Sequence, residues 1–346
     1  MSNTELAQSL NQELVIVDTH HDIAMDVVHR RKLGQKGVLS GHWGDRLRAG
    51  GVNVQMLPLF VEDRFLPELG LRKIIEAAEA ILSDLEDDSD GMRLATSMRE
   101  IDEALTDGKI AGVLALEGCD GLSGDPAMLR AMYHLGVRMV SFTWNRRNEF
   151  ADGTYGAKSP GGLTEAGKTA LQEMHEHGVI CDVSHLADPG FWDVVRLSQG
   201  PFIASHSNAR EVLDHPRNLT DDQLRAIAEA GGVVGLNFYA EFVDDDDPSL
   251  GRLVDHLLHI AETIGIEHVG IGPDFLEDSL RELAKKAFED TDYDPDILDR
   301  WIPECDGTEK LPEFTAKLLT RGLSKEDIAK VLGANFMRVF RETWGG

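Results

Sequence analysis

Eight short apolar runs rich in β-branched residues recur along this 346-residue chain, with longer segments of helical periodicity between them. They cover residues 14–22, 52–60, 110–118, 137–144, 179–185, 201–207, 233–239 and 268–275. Each has the length of a strand rather than a helix, and near-continuous apolarity is the mark of a strand buried on both faces. Parallel strands of that kind need helical crossovers. Eight such units close most economically into a barrel, so the expected class is α/β, a (β/α)8 TIM-type barrel. An open doubly wound sheet is the alternative. No GxGxxG follows the first run, which argues against its dinucleotide-binding form.

The segments between the runs support alternation. Residues 68–87 place Leu71, Ile74, Ala78 and Leu82 on one side, and residues 250–264 do the same with Leu253, Leu257 and Ile260. Residues 163–177 follow through Leu163, Ala166, Ala170 and Met174. Thr220 with Gln223 forms a capping box for a helix over 220–230. After the eighth run, residues 277–306 are acidic and residues 311–344 read as two more helices. Gly322 lies just past the first of these, and Ser324 with Asp327 opens the second. The expected organisation is one barrel domain over 1–346, with 277–346 as a C-terminal helical extension.

Composition narrows the partners. Lys plus Arg is 34 and Asp plus Glu is 61, a formal charge of −27. That excess argues against nucleic acid and against anionic membranes. Three cysteines without a CxxC spacing point to a reducing compartment. Residues 1–13 are polar and acidic, unlike a signal peptide, and no apolar run approaches the about 18 residues of a membrane span. A cytoplasmic protein acting on a small molecule is expected, with a homodimer as one oligomeric option. The acidic stretches 84–90 and 244–247 are expected in solvent, as are His256 and His259.

In such a barrel, reactive groups gather where strands end. The first run ends in Asp18-Thr19-His20-His21-Asp22, the third in Glu117, the fifth in Asp182-Val183-Ser184-His185, the sixth in Ser205-His206-Ser207 and the eighth in Asp274. His20 and Asp22, two apart on a strand, should both point inward, with His21 opposite. Glu117 and Asp274 follow apolar residues, and no Lys or Arg lies within four positions of either. A buried carboxylate needs a counter-charge, and a divalent cation is the simplest. Six such groups with one shareable Glu suit a pair of cations, with Zn²⁺ the expected metal and Mn²⁺, Fe²⁺ or Co²⁺ as alternatives. A water held between two such ions would be acidified and become a nucleophile.

These motifs occur in one order with Arg217-Asn218-Leu219, Asn237-Phe238-Tyr239, Gly272-x-Asp274-Phe275 and the closing Leu332-Gly333-x-Asn335-Phe336. The set resembles the membrane (renal) dipeptidase family of metallopeptidases from about residue 14 to 342. The resemblance implies a barrel with two zinc ions, His20, Asp22 and Asp274 serving one and His185 and His206 the other, with Glu117 bridging. It implies that Asp274 moves a proton to the leaving amine and that Arg217 binds the substrate carboxylate. It further implies hydrolysis of dipeptides, including those with a C-terminal D-residue. The renal type has Thr-His at the end of the fourth strand; here Thr143-Trp144 stands there, followed by Asn145. Trp144, Asn145 and Tyr239 join Arg217 as candidate substrate contacts. Residues 139–143 contain no Lys, which disfavours the amidohydrolases that bridge their metals with a modified lysine. Hydrolysis of another small amide, such as an N-acyl amino acid or a lactam, is the alternative activity. A non-catalytic metal-binding protein is the alternative class.

Overall fold

The computed structural model describes residues 2–155, 161–277, 279–288 and 298–345. Its strands are β1 (Ile16–Asp18), β2 (Val52–Phe60), β3 (Met92–Leu94), β4 (Ile110–Glu117), β5 (Val137–Ser141), β6 (Ile180–Asp182), β7 (Val234–Leu236) and β8 (Val269–Ile271). Parallel pairing runs β1–β2–β4–β5–β6, and separately β7–β8. The sixth apolar run supplies two parallel bridges rather than a strand: Ile203 pairs with Asp182 and Ala204 with Val234, which links β6 to β7. The ring closes between β8 and β1. Thr19 N–H donates to Ile271 O at 3.3 Å, and Asp274 N–H donates to His20 O at 2.9 Å. The expected (β/α)8 barrel is therefore present, with β3 added beside the start of β4.

Regular pairing is shorter than the apolar runs, often three residues rather than seven to nine. The physical reason lies at the strand ends, where polar side chains replace ladder bonds. Asp18 Oδ1 accepts the His20 N–H and Asp182 Oδ1 accepts the Ser184 N–H, both at 2.9 Å. These Asx turns lift the chain out of the sheet and into the loops above it.

Side-chain alternation divides the core. Val17, Val54, Met56, Val113, Met139 and Ile180 pack inside the barrel. Leu57, Leu59, Leu114 and Leu116, one residue out of phase, face the surrounding helices. The helix Asn335–Trp344 closes the end opposite the strand C-termini. Asn335 Nδ2 donates to the carbonyls of Ile266 and Val269, and Arg338 donates to those of Gly231 and Glu267, all at or just before the starts of β7 and β8. Its Phe336 lies so near β8 that a Cβ on Gly270 would come within 2.1 Å of the ring, so only glycine fits there.

The helices match their sequence pattern closely. Leu250–Ile264 has the expected bounds, Thr220 and Gln223 form the capping box, and Gly322 takes φ +90° after the helix Leu311–Thr320. The second tail helix, opened by Ser324, passes through a wider turn at Lys330–Ala334 before reaching Trp344. Part of the acidic stretch 277–306 lies outside the described residues. No helix among the described residues is long and apolar enough to cross a membrane.

Two expectations about the surface are corrected. Asp84, within the acidic stretch 84–90, is buried; it accepts the Leu39 N–H and pairs with Arg31. His256, expected in solvent, is also buried, while His259 is part-buried and pairs with Asp221. Composition marks both positions as polar, but each side chain bonds backbone that another segment brings to it. His256 Nδ1 accepts the Ala209 N–H and its Nε2 donates to Val243 O, a pairing only the neutral ring can make.

Burial, reinforced by Arg252, pushes His256 down to about 4. In the unfolded chain it titrates near 6.5, so its contribution is complete above pH 6.5 and is lost as pH falls toward 4. The stability advantage of the wild type over His256→Leu, measured by urea denaturation, should shrink by about 3 kcal/mol across that window.

Candidate metal centre

Each candidate ligand stands at the C-terminal end of a barrel position. β4 carries Glu117 as its last residue, in register with Phe60 of β2. Glu117 shares the inward phase of Val113 and Ala115, so its carboxylate tops the barrel core. His20 follows β1, Asp22 caps the helix Ile23–Lys32, His185 follows β6, His206 follows the Ile203–Ala204 bridge position and Asp274 follows β8. Among the described residues only three non-glycines have positive φ, and two of them are His185 (+66°) and Asp274 (+60°). Such strain persists where the surroundings impose it, commonly at functional sites.

The six groups converge. Glu117 Oε1 lies 3.1 Å from His185 Nε2 and 3.8 Å from His206 Nε2, while its Oε2 lies 3.5 Å from His20 Nε2. His20 Nε2 is in turn 3.8 Å from Asp274 Oδ1 and 4.0 Å from Asp22 Oδ1. The two nitrogens of His185 and His206 are 2.9 Å apart. Ligand atoms of His20, Glu117 and His206 lie within 4.8 Å of one another, as do those of His20, Asp22 and Asp274. The two oxygens of Glu117 thus face different imidazoles on either side of it. Asp22 Oδ1 is buried without a hydrogen-bond partner. Oxygen and imidazole donors in this arrangement, with an orphaned carboxylate oxygen, fit divalent cations.

The electrostatics agree. Burial and the neighbouring positive groups push His185 down to about 3, and burial holds His206 well below its usual range. Both rings are then neutral, the form that binds metal. Burial opposes charge on His20, yet Glu117, Asp274 and Asp22 together push it up to about 10. Burial, followed by repulsion from Glu117, holds Asp22 well above the usual carboxylate range. Burial also raises Asp274. Three carboxylates in contact demand positive charge beside them.

A layer of polar groups under the cluster fixes it. Asp182 accepts from the backbone and hydroxyl of Ser205, and Ser205 Oγ contacts His206 Nδ1 at 2.6 Å. Asn145 Oδ1 meets His185 Nδ1 at 2.8 Å, and Asn237 Nδ2 donates to Asp274 Oδ2 at 2.9 Å. Thr19 Oγ1 donates to the carbonyls of Ser205 and Ile271.

That last bond corrects one step of the sequence argument. Thr19, not His20, holds the inward phase of β1. His20 and Asp22 meet because the Asx turn at Asp18 ends strand geometry before either residue is reached. His21 does face away, packed edge-on against Trp43 and Phe275.

Above the cluster opens a cleft of about 70 Å³ walled by Phe60, Trp144, Tyr155, Tyr239 and Phe242. Trp144 and Tyr239, two of the candidate substrate contacts, line this cleft. Asn145 also reaches the cleft, but its carbonyl oxygen is committed to His185. Arg217 is buried beside the cleft rather than exposed within it. Its guanidinium lies 5.2 Å from the Phe242 ring, Nη2 donates to His206 O, and Nε has no partner. The positioning roles of Asp182, Asn145 and Asn237 went unread in the sequence, although all three stand in or beside the quoted motifs. Asp and Asn at strand ends carry no mark of whether they bind a ligand or hold one.

Known proteins resemble the chain over most of its length. The profile of the membrane dipeptidase family, peptidase family M19, matches residues 4–302 and 292–344. The chain is 33% identical over 271 residues to dipeptidase verJ of Clonostachys rogersoniana, covering 78% of this chain but 64% of that protein, under two thirds of its length. It is 30% identical to an uncharacterized dipeptidase of Schizosaccharomyces pombe, covering 98% of this chain and 84% of that one. A Rhodobacter sphaeroides metallopeptidase crystallised with a phosphinate mimic of L-Ala-D-Ala superposes with a TM-score of 0.83 at 23% identity, covering 96% and 99% of the two chains.

Removing the Asn145 carbonyl should free His185 to rotate. Asn145→Ala is expected to weaken metal retention by about 10–100-fold in a competition titration against a chelator, with little change in the unfolding midpoint. Asn145→Asp, which keeps the acceptor, should retain most of the affinity.

Proposed function

The chain belongs to the membrane dipeptidase family, peptidase family M19, and on that premise we propose that it is a zinc-dependent dipeptidase working with two cations. His20, Asp22 and Asp274 would hold one ion, His185 and His206 the other, and Glu117 one oxygen toward each. The observation that carries this reading is the division of the Glu117 carboxylate, Oε1 toward His185 and His206 and Oε2 toward His20. When bound, such ions supply Lewis acidity toward a carbonyl oxygen and a water.

The chain's own groups do the rest. Water forms a bond to the scissile carbonyl carbon, and the C–N bond then breaks. The Asp274 carboxylate, oriented by Asn237, takes the proton of the attacking water and delivers it to the leaving nitrogen. Arg217 supports recognition of a free carboxylate. It is buried, makes no ion pair among the described residues and has a partnerless Nε. A buried guanidinium without a counter-ion is costly, and a substrate carboxylate supplies one. This ties hydrolysis to short substrates. The aromatic wall at Phe60 and Trp144, whose rings meet edge-on at 5.0 Å, limits water access on that side.

Three buried, unpaired cysteines accord with a reducing cytoplasm as the site of action. Tolerance of a C-terminal D-residue belongs to this proposal, and the test substrates therefore include L-Xaa-D-Xaa beside L-Xaa-L-Xaa.

The test joins metal analysis to a dipeptide panel. Two zinc ions per chain are expected, with turnover abolished by chelation and restored by zinc. Glu117→Gln should lose at least one ion and nearly all turnover. Undiminished hydrolysis after complete metal removal would overturn the mechanism. Turnover of N-acyl amino acids or lactams alone would move the activity to another amide.

A further inference from the structure

A second cavity, of about 210 Å³, adjoins the cleft and has the opposite electrostatic character to the chain as a whole. Lys32, Arg64, Lys73 and Lys286 line it together with His29, against two carboxylates, Glu62 and Glu76. The chain overall has 34 basic residues to 61 acidic ones. Both carboxylates are already engaged. Glu62 pairs with Arg64, and Glu76 is shared by Lys73, Lys32 and Arg72. Lys286 and His29 make no ion pair among the described residues.

Three elements are common to cleft and cavity. Met25 and Phe60 line both. The helix Ser279–Phe288 gives Ala284 to the cleft and Leu283 and Lys286 to the cavity. Along the helix Ile23–Lys32, the residues Met25, His29 and Lys32 recur at helical spacing and lead away from Asp22. His29 lies roughly 10 Å along that helix from Asp22, a span that an acidic side chain and a lysine stem cover together. Met25, Phe60 and Phe65 make the apolar floor on which a hydrocarbon stem would lie, and Arg64 and Lys73 stand over the Phe65 ring.

We propose that this cavity is a subsite for an anionic group, and that the enzyme prefers dipeptides whose N-terminal residue carries an acidic side chain. The assignment rests on the dipeptidase reading, in which Arg217 holds the C-terminal carboxylate. The cavity joins the cleft at Met25 and Phe60, along the helix that begins after Asp22, and with the C-terminal carboxylate on Arg217 it would receive the N-terminal side chain. Cations fixed around a concave apolar floor raise the local concentration of anions and discriminate by charge.

L-Glu-L-Ala and L-Gln-L-Ala differ there only in charge. The wild-type enzyme should turn over the glutamyl substrate with a kcat/KM at least about fivefold higher. Raising salt from about 0.05 M to 0.5 M should erase most of that ratio. Lys286→Glu should invert or abolish it while leaving L-Gln-L-Ala turnover within about twofold of wild type, and Lys286→Gln should fall between. Calorimetric titration of non-hydrolysable phosphinate analogues of the two dipeptides into the metal-loaded protein gives a readout independent of turnover, and the same preference and the same loss in Lys286→Glu are expected. Equal affinity and equal kcat/KM for the two dipeptides, or a glutamyl preference untouched by Lys286→Glu, would overturn the subsite. Charge-dependent binding without hydrolysis of any dipeptide would instead overturn the dipeptidase reading and leave the subsite standing.

Discussion

Glu117 is the residue on which the rest of the site depends. Its carboxylate is almost wholly buried at the mouth of a barrel whose interior is otherwise apolar. A lone charge there would cost several kcal/mol. The structure offsets that cost by bringing His20 and His185 to it, which holds Glu117 well below the usual carboxylate range even though burial acts the other way. Asp22 and Asp274 then crowd the same space. The result is a cluster whose charges balance only with added positive charge.

The backbone follows from that demand. The Asx turns at Asp18 and Asp182 and the left-handed residues His185 and Asp274 all mark places where a strand stops pairing in order to deliver a side chain. Below them, Thr19, Asp182 and Ser205 form a hydrogen-bonded layer between the polar mouth and the apolar core. At the far end the helix Asn335–Trp344 satisfies carbonyls at or just before the starts of β7 and β8 and fills the base with aromatic rings. Stability and chemistry thus occupy opposite ends of one barrel, which lets the loops vary without disturbing its base. The net charge of −27 conceals a local reversal beside the cleft, where four basic side chains outnumber two acidic ones.

Much of this was legible in the residues. The apolar runs marked each barrel position, and the residues ending five of them are the ones the structure gathers. What periodicity misread was local. A two-residue spacing put His20 on the inward face, yet the chain turns before that rule applies, and Thr19 takes the position. Asn145 read as a substrate contact because it follows Trp144, while its nearest partner is a histidine 40 residues on. Asp84 and His256 read as solvent-facing because polar residues on helices usually are. Each instead bonds backbone delivered by a distant segment.

By itself the sequence determined the alternation of strand and helix, the apolar phase along each strand and the chemical identity of the groups at the strand ends, because these depend on side-chain type and short-range spacing. The tertiary structure alone decided which oxygen of Glu117 meets which imidazole, which polar side chains hold a neighbour in place, and where basic residues from four separate segments meet around one hollow. Those outcomes depend on ring closure, which brings residues far apart in the chain within hydrogen-bonding distance, and no local pattern encodes that geometry.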